Sequence, residues 1–493
     1  MPGAPMSGPK PNVLLICTDH WPGLLTRMAG HPVVMTPTLA QLARGGVTFT
    51  RAYSACPSCI PARKSLTTGM TARGHGDRVY TDGVEWPRVK TLAGCFHDAG
   101  YQTFCVGKLH VWPQRDRLGF DEVLLEEQGR HSAMHRGVPD GAADDWELYL
   151  QDKGLAGQEY ASGMCHNDFV ARPWHLAEEH HPINWAAREM CRAIRRRDPR
   201  KPGFWYLSFS APHPPLTPLQ AYLDLYRDVE IDMPVVGEWA RSFDALPLHM
   251  KERTYASALR GAPRSEVELA RRAFYATLTH IDHQIRVVLG YLREAELLNN
   301  TIVVFTSDHG HMIGEHNMWC MTPFYEMSSR IPLIVAPAKG DSRLRPGSVD
   351  DRFAEFGDIM PTLLDLAGVA IPPQVTQLSL VGGRRREYIY GEHGEGLSAQ
   401  RMIRRGRYKM IYYPAGNRTQ LFDIESDPRE TVDLAPDPAM RQELDAMRAL
   451  LVENSYGNDE EWIRDGRIVG LEAPRFEGVD TRGLLGQRGL RFM

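Results

Sequence analysis

The sequence predicts an α/β fold: a large, mostly parallel or mixed sheet sandwiched by helices, with a smaller C-terminal antiparallel sheet plus helix. Three observations carry this reading. Short apolar runs recur just ahead of polar residues: VLLIC before Thr18-Asp19-His20, YQTFCVG before Lys108, FWYLSFS before His213 and TIVVFTS before Asp308-His309. Helical patterns lie between them, and strands alternating with helices build a mostly parallel sheet. After DIMPTLLDLAGVAIPP (358–373) the pattern changes to the short runs EYIYGEH, RMIRRGRYKMIYYP and QLFDIESDP, which suit a small antiparallel sheet.

In chain order, PTLAQLAR (37–44) reads as a helix after the first strand. Pro61 suits the first turn of a helix through Ala62 to Thr67, which puts Cys59 at or just before a helix N-terminus. Residues 113–200 are rich in Gly, Asp, His and Trp with weak periodicity, and are expected to form an insertion that decorates the sheet rim and carries specificity. From Val267 to Glu294 the apolar residues Leu278, Ile281, Ile285, Val288, Leu289 and Leu292 fall at helical spacing. A further helix is expected over Pro438 to Glu453. The expected organisation is a catalytic α/β domain over 1–375, a small α+β subdomain over 376–454, and a tail over 455–493 that is mobile or grips another subunit of a homo-oligomer.

At 493 residues the chain exceeds one compact core. A charged content of 24% and a net charge of −4 describe an ordinary globular protein and argue against a nucleic-acid partner. The opening MPGAPMSGPK lacks the apolar core of a signal peptide, and no run approaches the roughly 20 apolar residues of a membrane helix. A cytoplasmic location with no membrane partner is the expectation. Eight cysteines, at 17, 56, 59, 95, 105, 165, 191 and 320, have no disulfide-framework spacing, which suits a reducing compartment.

In open parallel sheets, ligands bind beyond the carboxyl ends of the strands, where all four polar clusters fall. Asp19, Asp308 and His309 there could make a divalent-cation site, because a buried carboxylate pair repels itself unless a cation compensates it. Alternatively each acid only caps a following helix. His20 is a further possible nitrogen ligand.

The stretch SACPSCIPARKSLTTG permits two readings of its cysteines. One is a C-x-x-C pair for redox or zinc chemistry, which leaves Arg63 unexplained and lacks further zinc ligands nearby. In the other, Cys59 sits at a helix end that favours anions, and Arg63, one turn in, can fork two hydrogen bonds onto a tetrahedral oxyanion. Lys108 and His110 of GKLH can face one pocket after a strand end, offering a fixed charge and a proton acceptor near neutral pH. His213 is held by prolines on a stiff loop. Singly, each of these three could be an ordinary surface side chain; all at predicted strand ends, they form a set.

Together these residues resemble the type I sulfatases, a branch of the alkaline phosphatase superfamily. The resemblance spans about 11 to 430: PNVLLICTD, C-I-P-A-R followed by Thr68-Gly69, GKLH, SAPH, FTSDHG with GEHNMW, RIPLIV, DIMPTLLDLAG and LFDIESDP. It implies that a maturation enzyme converts Cys59 to formylglycine, and that Asp19, Asp308, His309 and residue 59 hold one divalent metal, calcium foremost, with manganese or magnesium as alternatives. It implies also that Arg63 and Lys108 stabilise charge on the sulfate, that His213 serves the departing alcohol, and that His110 removes the proton that lets the sulfated hemiacetal collapse. The implied activity is arylsulfatase-type hydrolysis of small sulfate monoesters. Phosphonate monoester or phosphodiester hydrolysis is the nearest alternative, and a non-catalytic sulfatase-like binding protein another.

Two departures stand out. Many family members carry an acid after the first one, where this chain has His20, and imidazole leans toward manganese or another transition ion. Members usually place a lysine two residues after the tryptophan, in contact with the sulfate or leaving oxygen; here Trp319 is followed by Cys320 and Met321. Another cation, with His75 of ARGHG as candidate, esters with good leaving groups, or a different preferred substrate would account for it.

Overall fold

The computed structural model describes residues 9–127, 144–164, 169–255, 257 and 259–478. Eight strands form the main sheet: β1 (Asn12–Thr18), β2 (Val47–Tyr53), β3 (Gln102–Gly107), β4 (Glu122–Leu125), β5 (Gly203–Ser208), β6 (Thr301–Ser307), β7 (Leu333–Ala336) and β8 (Ser348–Glu355). Their order is β4-β3-β5-β1-β6-β7-β2-β8, and only β7 runs antiparallel to its neighbours. The central β1, β5 and β6 are buried along their whole length, which is why they read as unbroken apolar runs.

Alternation along β1 divides the core. Leu14 and Ile16 join the cluster formed with the helices Pro182–Arg196 and Arg264–Glu294, while Val13, Leu15 and Cys17 join the opposite one with the helices Leu92–Asp98 and Ile359–Leu366. The sheet is thus covered on both faces, with α1 (Pro37–Gly45) on the first side and α2 (Cys59–Thr68) on the second. The register sets Thr18 beside Ser307, and Cys17 and Gly107 beside Ser208. Four chain segments therefore leave the sheet at one level, and these carry the polar clusters.

The 113–200 segment is more regular than its composition indicates. Within it, β4 is an edge strand of the main sheet and Pro182–Arg196 is a covering helix. Its residues 128–143 and 165–168 lie outside the described residues.

A second sheet holds β9 (Tyr388–His393), β10 (Gln400–Arg405), β11 (Tyr408–Tyr413) and β12 (Arg418–Asp423), all antiparallel, in the order β12-β11-β10-β9. Ile403, Met410 and Leu421 face Leu444, Met447 and Leu451 of the helix Arg441–Asn454, whereas Met402, Ile411 and Phe422 pack into the main core. Lys409 is clamped between Glu326 at 2.8 Å and Glu430 at 2.6 Å, beneath this sheet. The first half of the expected tail is folded onto its own chain. Trp462 is fully buried, β13 (Ile463–Arg464) pairs with β14 (Arg467–Ile468), and Asp459 bridges Arg401 at 2.5 Å and Arg78 at 3.0 Å. Residues 479–493, to which the subunit-gripping role would fall, lie outside the described residues.

Candidate active site

Cys59 is the first residue of α2, after the extended Ser58, and its burial leaves it 1% exposed. Its Sγ lies 3.3 Å from His309 Nε2 and 3.7 and 3.8 Å from the two carboxylate oxygens of Asp19. Cys56 takes another direction, its thiol reaching the Arg78 carbonyl at 3.8 Å, while burial pushes its pKa well up. The described cysteines are free thiols, and Cys56 joins no cluster of possible metal ligands among the described residues. The C-x-x-C spacing is thus incidental.

Arg63, one turn into α2, points the same way as Cys59. Its Nε donates to Asp308 Oδ2 at 2.9 Å, and its Nη1 donates to the Lys108 carbonyl and Ser208 Oγ, both at 2.9 Å, and to Tyr206 OH at 3.3 Å. Nη2 is buried with no hydrogen-bond partner among the described residues. Lys108 enters from β3 and pairs its Nζ with Asp19 Oδ2. Gly107 makes that entry possible: its φ is +107°, and a Cβ there would stand 1.8 Å from the Ser208 carbonyl oxygen, to which the Lys108 N–H donates at 2.8 Å.

Asp308 and His309 follow β6. His309 Nδ1 is 2.9 Å from the Gly310 carbonyl, so a proton on Nδ1 is held there and Nε2 turns toward Cys59 and the acids, 3.7 Å from both Asp19 Oδ1 and Asp308 Oδ1. Burial pushes its pKa down, but Asp308, Cys59 and Asp19 outweigh that and hold it up at about 10. Burial also pushes the Asp19 carboxyl up, yet Lys108 and the surrounding imidazoles bring it well below the usual range. Asp308 stays above its ordinary value through burial and the charge of Asp19.

A cation fits this place. One ligand atom from each of Asp19, His20, Cys59 and His309 lies within 4.8 Å of the others, all buried. Neither ring nitrogen of His20 has a hydrogen-bond partner among the described residues, and Nε2 is 3.5 Å from Asp19 Oδ1. Asp308 borders the group through its 3.7 Å approach to His309. Buried acids, imidazoles held by carbonyls and unpaired nitrogens together form a donor set for a divalent ion.

His213 lies in the same place, its ring 4.2 Å from that of His20, with Nδ1 2.7 Å from the Pro214 carbonyl. His110 is on a neighbouring wall: its Nε2 is 3.2 Å from Tyr80 OH and 3.8 Å from Asp82 Oδ1, and it borders a small cavity shared with Ile60 and Trp112. Glu127 Oε1 anchors this turn by accepting from the His110 N–H at 2.6 Å and the Leu109 N–H at 2.9 Å. His75 is not in the site. Its Nε2 is 3.0 Å from Ser65 Oγ, on α2, and burial holds its pKa down at about 3, so it supplies no cation in place of the missing lysine. The sequence reading missed His311, whose ring stacks on Phe169 at 3.9 Å and lies 5.2 Å from His20, although SDHGH carried the signal. It missed also Tyr206 and Ser208, whose places inside a strand gave none.

The profile of the family described as Sulfatase matches residues 11–369, and that described as N-sulphoglucosamine sulphohydrolase, C-terminal, matches residues 314–456. An arylsulfatase of Clostridium perfringens is 35% identical over 93% of this chain and 97% of its own. A choline-sulfatase of Rhizobium meliloti is 30% identical over 88% of this chain and 84% of its own. Among solved structures, a phosphonate monoester hydrolase from Silicibacter pomeroyi superposes with a TM-score of 0.75 at 23% identity, covering 90% of this chain and 95% of the other. The chain belongs to the type I sulfatase family of sulfuric ester hydrolases.

Proposed function

We propose that the protein hydrolyses sulfate monoesters of arylsulfatase type at the side chain of residue 59. The approach of Cys59 Sγ to Asp19 and His309, at the start of a helix whose Arg63 faces the same space, carries this reading. Asp19, Asp308, His309 and the residue-59 side chain would hold a divalent ion, with His20 as a further ligand. Such an ion supplies Lewis acidity. As the hydrate of formylglycine, formed by addition of one water to the aldehyde, residue 59 would supply one hydroxyl as nucleophile and a second through which sulfate can leave, with the aldehyde reformed and no water attacking the ester.

The remaining steps fall to the chain's own groups. Arg63 and Lys108 hold the sulfate oxygens by charge in a water-poor setting, where such contacts are strongest. Asp308, held in place by Arg63 at 2.9 Å, helps draw the proton from the attacking oxygen. His213, whose Nδ1 proton rests on the Pro214 carbonyl, offers Nε2 to the departing alcohol. His110 is the proposed base for the release of sulfate.

A second reading is phosphonate monoester or phosphodiester hydrolysis, favoured by the fold shared with the Silicibacter pomeroyi enzyme. Sulfate monoesters and phosphate diesters both carry one negative charge, so charge alone separates them poorly. The test is kcat/KM on matched aryl sulfates and aryl phosphonates: sulfates are expected to be faster, and a dominant phosphonate rate overturns the assignment. Mass spectrometry of the peptide 52–63 from native protein is expected to find the aldehyde. Unmodified thiol alone would make the chain a binding protein.

A further inference from the structure

Met321 leaves a role vacant, because a thioether brings neither charge nor a hydrogen-bond donor. Beside it, the fold gathers two buried imidazoles from separate elements. His249, on the helix Leu248–Tyr255, has Nε2 3.1 Å from the hydroxyl of Thr322, the residue after Met321. His393 ends β9 and is 4% exposed, and neither of its ring nitrogens has a hydrogen-bond partner among the described residues. The two rings are 6.0 Å apart.

The backbone fixes where His393 stands. The Glu392 N–H donates to the Ala55 carbonyl at 2.8 Å, and the Gly394 N–H donates to the Arg78 carbonyl at 2.9 Å. Gln400, its partner across β10, donates from its side-chain amide to the Thr322 carbonyl at 2.9 Å. His393 therefore joins the loop that delivers Cys59 to the loop that carries Met321. Burial holds its ring neutral, and His249, Arg253, Arg401 and His309 around it act in the same direction. A buried polar atom without a partner is costly, and a ligand oxygen would repay this one.

We propose that His393 is a substrate-contacting residue whose ring N–H hydrogen-bonds the bridging oxygen of the ester, in place of the lysine absent at 321. His249 lies beside it. His393 transfers no proton; it stabilises the charge that grows on the leaving oxygen as the ester bond breaks, and His213 supplies the proton. The inference rests on ester hydrolysis at residue 59.

The experiment compares full-length wild type with His393→Leu, His393→Asn and His393→Gln on substituted aryl sulfates of graded leaving ability. For His393→Leu the expected loss in kcat/KM is about 10- to 100-fold on the poorest leaving group and less than about threefold on the best. Glutamine, which can still donate at that reach, is expected to restore the wild-type slope. Asparagine is too short, so it should steepen the slope as leucine does, and it decides the matter if leucine prevents folding. A uniform loss across the series marks a structural role and overturns the proposal, as does no loss. If the wild type turns over only phosphonates, the sulfatase reading fails, and the same slopes measured on phosphonates still decide the role of His393.

Discussion

Arg63 and Asp308 form a charge pair at 2.9 Å in which neither side chain is more than 2% exposed. One partner belongs to the helix that begins at Cys59 and the other to the end of β6, so the pair locks the Cys59-bearing helix to the acid at the proposed metal position. Removing one partner strands a buried charge. Arg63→Met is expected to lose about 3–5 kcal/mol in denaturant unfolding. Arg63→Lys should retain more of that stability while losing turnover, because an ammonium cannot reproduce the fork that reaches Asp308, Ser208 and the Lys108 carbonyl together.

The two cysteines of the opening motif should behave oppositely. Cys59→Ala is expected to abolish turnover while leaving the fold intact, as checked by thermal unfolding. Cys56→Ser should leave kcat/KM nearly unchanged, since the Arg78 carbonyl that receives the thiol can receive a hydroxyl as well.

Chelation should lower Tm, and added divalent ion should restore it. At a free ion concentration of 100 times Kd the gain is about 2.7 kcal/mol. His20→Asn removes an imidazole from the donor set, so its titration is expected to show a larger affinity loss for Mn²⁺ than for Ca²⁺. No loss for either ion would exclude His20 as a ligand.

Glu430 makes stability depend on pH away from the active site. Burial, reinforced by the charge of Glu326 and opposed by Lys409, pushes its pKa up from 4.5 to about 7. Between these values the folded chain holds a proton that the unfolded chain has released, so this contribution is complete below 4.5 and lost as pH rises through about 7. The stability of the wild type relative to Glu430→Gln should fall across that window by something on the order of 3 kcal/mol, read from unfolding at its two ends.

Strands buried on both faces gave unbroken apolar runs, so the sequence alone places Asp19, Lys108, His213 and Asp308 at strand ends. Pro61 marked the start of α2 in the same way. The direction of β7 leaves no trace in its four residues, LIVA, because a buried strand has the same composition whichever way it runs. In the 113–200 region the polar composition hid β4, a short edge strand with only Leu125 buried. It also hid the helix Pro182–Arg196, whose exposed arginines surround a buried apolar face. His249 and His393 were illegible for another reason: each is a lone histidine without a motif, and their proximity exists only once the second sheet has docked.

The burial of Cys59 has a consequence in time. Its helix is sealed by Arg63 reaching Asp308, a residue 245 positions further along the chain. A maturation enzyme acting at Cys59, which the family resemblance implies, would meet an accessible thiol only while β6 has yet to join the sheet, so oxidation would compete with closure during biosynthesis. A variant that hastens closure would yield protein that is sound in fold yet poor in active sites, and slower translation between the two segments would raise the fraction matured.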